Sequence, residues 1–366
     1  MKKITLISLV LLFMVGCTQN NKSTIKLGAT FPLTGDVASY GIHAKNGIQL
    51  KVDEVNAKGG VNGKQISVDF QDDQNSIKDA VSIFDDFATI KKYPVVFGSA
   101  GSSVTLALAP LANRYKVILM SPVSSSSKLS IEGGDYFFRT VPSDNLQAEM
   151  LAQIVFNDSI KKVAIVYTNN SWGKPLTDGF KKAFENLGGK VVFEEGVMEN
   201  TTDFRTIILK LKKLDFDAIV SPTYPKGGGI FVKQLKEAGI TTKLYGGDNW
   251  GAPEFVNIAQ NAAEGVIFTF PSKSKSPIYD EFAKSYREKF NEEPDIVAAY
   301  GYDAATAIIL AMEKAGKFDS ESIREQLLKV SFQGVSDKIS FKPDGDVISK
   351  GYGERTIKNG KSIVIE

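Results

Sequence analysis

The chain has 366 residues, 43% of them hydrophobic and 23% charged, which is enough for two domains with a core each. Its 44 basic and 42 acidic residues nearly balance, so the totals imply no basic face for nucleic acid. One Cys and one His exclude CxxC redox chemistry, Cys-rich metal centres and a His pair, and His43 lies in a helical pattern far from any nucleophile elbow.

Met1-Lys2-Lys3 is a short positive segment, and Ile4 to Val15 is an apolar run too short to span a bilayer. It ends in Met14-Val15-Gly16-Cys17, which resembles a lipoprotein cleavage box with Met14 in place of the usual Leu. The expectation is a signal peptide over 1–16, a lipid on the Cys17 thiol and a polar tether to residue 24. Removal of Lys2 and Lys3 leaves 42 basic against 42 acidic residues. No other segment reads as apolar over eighteen residues, so the expected place is extracytoplasmic, anchored to the membrane at Cys17 without spanning it.

From Ile25 strands and helices alternate. Ile25 to Ala29 reads as a strand that opens into the loop Phe31 to Gly41, with Tyr40 at its end. Ala44, Ile48, Val52 and Val55 mark one helix face, stopped by Gly59-Gly60. Ile66, Val68 and Phe70 alternate as a strand. Asp72-Asp73 then read as solvated carboxylates before a helix over 77–88.

The stretch 95–127 is the most telling. Val95-Val96-Phe97 breaks into Gly98-Ser99-Ala100-Gly101-Ser102-Ser103, a helical pattern follows, and Val117 to Met120 breaks into Ser121 to Ser127. This is the unit of a parallel sheet with crossover helices, and both loops leave the carboxyl ends of neighbouring strands. Glycines 98 and 101 let backbone N–H groups approach a ligand. The Ser102 and Ser103 hydroxyls at a helix start, with Ser124 and Ser125 in the second loop, suit a small carboxylate.

Phe137 to Asp144 reads as a crossover into a second lobe, where the rhythm restarts. Strands are expected at 163–167, 191–193, 218–220, 243–245 and 266–270, with helices at about 175–187, 204–214 and 230–238. The loops between them carry Trp172, Tyr224 within Ser221–Gly229, and Asp248 within Gly246–Trp250. A second crossover at 271–277 leads to helices at 278–290, 296–315 and 320–330, which return to the first lobe. Strand-like segments from Lys338 close the chain. The glycine-rich places match no nucleotide loop: Gly227-Gly228-Gly229 lacks the Lys-Ser/Thr ending, and Arg355 stands where a P-loop opens with glycine.

The stretches FPLTGDVASYG, DEVNAKGGVNGKQI, GSAGSSVTLALAP, ILMSPVSSSS, FFRTVPSD, VAIVYTNNSWG, FRTIILKLK and AYGYDAATAI together resemble the branched-chain and hydrophobic amino-acid binding proteins of ABC importers. The resemblance implies an α/β fold of the type I periplasmic binding class, two Rossmann-like lobes with mostly parallel sheets joined by a three-segment hinge. Lobe 1 would be 25–141 plus 272–346, and lobe 2 would be 142–271 plus 347–366. It implies that the Ser102 hydroxyl, nearby amides and Ser125 hold an α-carboxylate, and that the Val123 carbonyl and Asp248 hold the ammonium. Tyr40, Trp172 and Tyr224 would wall the side chain, and Ala298 would leave room where some relatives carry an aromatic.

The implied role is a monomeric solute-binding protein that delivers an amino acid to membrane permease subunits, without cofactor, metal or catalysis. Two other classes stay open on the sequence. One is a sensing receptor module for amides or amino acids. The other is a small-metabolite enzyme using paired carboxylates such as Asp144 and Asp248.

Overall fold

A computed structural model of the chain describes residues 24–271, 277–349 and 351–365. The signal segment and Cys17 lie outside the described residues, as does most of the expected crossover at 271–277.

The first sheet grows from β1 (Thr24–Phe31), α1 (Ala38–Ala57), β2 (Gln65–Asp72), α2 (Ile77–Asp85), β3 (Val95–Gly98), α3 (Ser102–Tyr115), β4 (Ile118–Ser121), α4 (Leu129–Glu132) and β5 (Phe137–Arg139). The strand order is β2-β1-β3-β4-β5, all parallel. β3 and β4 are unbroken apolar runs because helices cover both faces of a parallel sheet. The helix after β2 starts at the Ser76 cap and widens into a π turn over Asp86–Ile90.

The second sheet uses α5 (Asp144–Asn157), β6 (Lys162–Thr168), α6 (Gly173–Asn186), β7 (Lys190–Val197), α7 (Arg205–Leu211), β8 (Ala218–Ser221), α8 (Pro225–Glu237), β9 (Lys243–Gly246), α9 (Pro253–Ala259) and β10 (Ile267–Pro271). The chain then adds α10 (Pro277–Phe290), α11 (Ile296–Ala315), α12 (Ser320–Leu327), β11 (Ser331–Gln333) and β12 (Lys338–Ser340) to the first lobe's core. It finishes in the second sheet with β13 (Tyr352–Lys358) and β14 (Lys361–Val364). That sheet runs β14-β13-β10-β9-β8-β6-β7, parallel from β7 to β10 and antiparallel at the β13-β14 edge.

The chain therefore passes between the two sheets three times: after β5, between β10 and α10, and between β12 and β13. α11 is apolar and long enough to cross a membrane by composition alone, which the sequence reading passed over. It is the centre of the first lobe's core, with 78% of its most apolar window buried. Asp295 caps its start through Ala298 N–H at 2.9 Å. Its backbone touches that of α1 because Gly47 and Gly301 face each other's helix: a Cβ at Gly47 would lie 2.0 Å from the Ala298 carbonyl, and one at Gly301 2.4 Å from that of Ala44.

Three local expectations change. The triple glycine 227–229 is not loop but the opening of α8, started by Pro225. A Cβ at Gly228 would meet Trp250 Nε1 at 2.6 Å and one at Gly229 would meet Ile258 at 2.9 Å, so the glycines serve close helix packing. Asp72 and Asp73 are not solvated first-turn charges. Asp73 is fully buried and accepts from Thr30 Oγ1 and Ser99 Oγ, and Asp72 accepts from the Leu33 N–H and Thr34 Oγ1, so the pair ties the first loop to the Ser loop. Gly98 packs on the Thr30 carbonyl of β1 rather than facing a ligand.

Candidate binding cleft

The carboxyl ends of both sheets face one another across a cleft of about 510 Å³. Its walls come from the loop after β1 and the start of α1 (Val37, Ser39, Tyr40, His43), the loop after β3 (Ala100, Gly101, Ser102), the loop after β4 (Pro122, Val123, Ser125) and the start of α11 (Ile296, Val297, Tyr300). The second lobe gives Trp172 after β6, Tyr224 after β8, Asp248 and Asn249 after β9, and Phe270 on β10. This is where open α/β sheets take ligands.

The first-lobe loops are cross-tied. Ser121 Oγ and Ser124 Oγ both donate to the Ser99 carbonyl, at 2.9 and 3.0 Å, and Thr105 Oγ1 lies 2.7 Å from Ser124 Oγ. Arg139, fully buried, donates to the Ser126 carbonyl (2.9 Å) and Ser130 Oγ (2.8 Å), and its Nε meets Asp346 at 2.6 Å. Ser102 Oγ accepts from the Ser126 N–H at 3.3 Å, which leaves its own O–H proton to donate into the cleft. Ser102 is also the first residue of α3, where the free N–H groups and the helix dipole favour an anion.

The opposite wall is unsatisfied. Asp248 lines the cleft, yet its Oδ1 is covered and accepts no hydrogen bond. Gln147 Oε1, fully buried outside the lining, has no partner either. Burial pushes the Asp248 carboxyl above the usual range, against the Gln147 amide and the Asn249 N–H, which hold it down. Trp172 and Tyr224 stack, with ring centroids 5.2 Å apart and planes 9° apart, giving a flat apolar wall beside it.

The lobes are bonded to each other around the rim. Tyr40 donates to Asn249 Oδ1 (2.6 Å), Ser126 Oγ to the Ser171 carbonyl (2.6 Å), the Ser171 N–H to Ser103 Oγ (3.3 Å), and Lys226 Nζ meets Asp36 at 2.9 Å.

Of the nine residues named from the sequence as ligand contacts, Tyr40, Ser102, Val123, Ser125, Trp172, Tyr224 and Asp248 come together in the cleft. Ser103 and Ser124 do not line it. Ser103 turns outward, one residue on around the helix, to the rim contact with Ser171, and Ser124 points back into the loop that it braces. The sequence reading missed Tyr300, Phe270 and the His43–Asp295 pair, joined at 2.7 Å. Ala298 is fully buried outside the cleft, and Tyr300, two residues on, supplies an aromatic there.

Comparison with known proteins gives a consistent picture. Residues 24–361 match the family described as periplasmic binding protein. The leucine-, isoleucine-, valine-, threonine-, and alanine-binding protein of Pseudomonas aeruginosa is 28% identical over 88% of this chain and 87% of its own length. The branched-chain amino acid transporter substrate binding protein LivJ of Streptococcus pneumoniae, solved in complex with isoleucine, is 32% identical, with a TM-score of 0.85 over 94% of this chain and 99% of that one. The leucine binding protein LivK of Thermotoga maritima is 27% identical, with a TM-score of 0.87 over 93% and 98% of the two chains.

Proposed function

Since the chain belongs to the periplasmic binding proteins, a family of extracytoplasmic solute-binding proteins with the type I fold, we propose that it captures an amino acid with a hydrophobic side chain and hands it to the permease of an ABC importer. The observation that carries this reading is the split of charges across the cleft: the Ser102 hydroxyl and α3 start on one wall, and the Asp248 carboxylate on the other. A zwitterion needs donors for its carboxylate and an anion for its ammonium, and charge-assisted hydrogen bonds of this kind contribute about 1.5–3 kcal/mol each. Only the closed state collects both sets, so the ligand shifts the lobes toward closure.

In this reading the Val123 carbonyl also accepts from the ammonium. Tyr40, Trp172, Tyr224 and Tyr300 enclose the side chain, and no bond is made or broken. Residues 25–141 with 272–346 and 142–271 with 347–366 act as the two moving lobes, and Cys17 carries the lipid that keeps a monomer at the membrane. Relatives named for leucine, isoleucine and valine support an aliphatic ligand.

The test is a thermal-shift screen of the chain from about Asn20, followed by calorimetry. A ligand at about a hundred times its Kd adds about 2.7 kcal/mol of stability. Shifts with leucine, isoleucine or valine are expected; shifts only with carboxylic acids lacking an amine would remove Asp248 from its role.

A further inference from the structure

Asp144, the first residue of α5, sits where the chain crosses from the first sheet to the second, 1% exposed and outside the cleft lining. Its backbone N–H donates to the Ser125 carbonyl at 2.9 Å, and its Oδ2 lies 3.0 Å from Ser125 Oγ. Its other oxygen, Oδ1, is covered and has no partner. The nearby Gln147 Oε1 and Asp248 Oδ1 are unpartnered acceptors too, so this buried corner gathers three acceptor oxygens that receive no hydrogen bond. An ionised Asp144 would demand Ser125's only hydroxyl proton. Ser125 would then face the cleft with lone pairs alone, the wrong sign for a carboxylate.

We propose that Asp144 is a positioning residue held as the neutral acid, donating its proton to Ser125 Oγ so that Ser125 turns its own O–H into the cleft toward the ligand's carboxylate. The proposal rests on the amino-acid reading given above. The hydrogen bond between the two side chains keeps its length and reverses its direction, and the corner presents one negative charge, that of Asp248, to one ammonium.

The charged groups around Asp144 agree. Burial raises its carboxyl well above the usual range, with the Asp248 charge acting the same way; a hydrogen bond received from Ser125 and, less strongly, the Arg139 charge oppose, and Arg139 is paired with Asp346. The other titratable groups that feel this corner are Tyr224 and Tyr352, which sense both carboxylates, and Tyr40 and Tyr300, which sense Asp248; all four stay protonated because burial raises them further.

The experiment compares the wild type with Asp144→Asn, Ser125→Ala and Asp248→Asn by leucine calorimetry between pH 5 and 8.5, together with infrared spectra of each ligand-free protein. An Asn side chain donates to Ser125 as the neutral acid does. Asp144→Asn therefore keeps leucine affinity within about threefold, whereas Ser125→Ala loses about tenfold or more. The wild type shows the carbonyl stretch of a protonated carboxylic acid at pH 7 that Asp144→Asn lacks. If Asp144→Asn loses affinity as Ser125→Ala does, or if the wild type has no such band, the proposal is overturned. The band is read without ligand and on the unaltered chain. A wild type that shows it but binds no amino acid therefore refutes the amino-acid reading and leaves the charge state of Asp144 supported.

Discussion

On the first-lobe wall of the cleft Ser99, Thr105, Ser121 and Ser124 bond one another, and Arg139 locks the loop from behind. On the second-lobe wall Asp248 Oδ1 has no partner, nor does Gln147 Oε1, which is buried outside the cleft lining. The first wall is finished before any ligand arrives, so a carboxylate meets donors already aimed and little ordering cost remains. The second wall holds a desolvated anion that gains most when a cation reaches it. Affinity should therefore fail differently on the two sides: through the fold on the first, through the ligand on the second.

The strongest way to break the finished wall is Arg139→Met. It leaves Asp346 as a buried unpaired charge and frees two carbonyls of the Ser loop. A stability loss of about 3–5 kcal/mol is expected in denaturant unfolding, with ligand affinity falling only as the loop loosens. Asp248→Ala should do the reverse, weakening an amino acid by roughly 2–5 kcal/mol in calorimetry. Its ligand-free fold should not suffer. Burial raises the Asp248 carboxyl in the folded state, so its contribution is fully present below the unfolded value near 4 and is lost as pH rises through the folded one. Relative to the wild type, the variant's stability should therefore improve from acid to neutral pH. A drop in stability as large as that of Arg139→Met would erase the contrast between the walls.

The same contrast explains what the sequence shows and what it hides. Ser102 and Asp248 follow closely on the carboxyl ends of β3 and β9, and strand order alone brings such ends to one edge. Ser103 and Ser124 share the composition of their neighbours but not their direction, because adjacent residues on a helix or tight loop point apart. Tyr300 lies in the mostly apolar first half of α11, buried on nearly every side, where no periodic signal separates a cleft residue from a core residue. Asp144 and Gln147 face one corner only because α5 brings residues three apart onto one side. The triple glycine looks like a loop because its packing partners, Trp250 and Ile258, are distant in sequence.

Ser102→Ala probes the finished wall more gently. The Ser126 N–H loses an acceptor, but the loop keeps its other ties, so stability should change little while binding weakens by about 1.5–3 kcal/mol. A variant that unfolds instead would make Ser102 a cap for α3 rather than a ligand donor.

The smallest expected effect lies at the rim, where neither wall is complete alone. Asp36 and Lys226 join the lobes at 2.9 Å, but their side chains are 63% and 43% exposed, so solvent and salt screen the pair. Asp36→Asn should weaken ligand binding by about 1 kcal/mol or less, and that difference should vanish at high salt. The loss should appear as faster ligand release rather than slower capture, because the bond forms only once the lobes have met. Stopped-flow fluorescence of Trp172, which stacks on Tyr224 in the cleft, can separate the two rates. An effect as large at high salt as at low salt would mean that Asp36 contacts the ligand itself, and that the first-lobe wall is not completed by its serine loops alone.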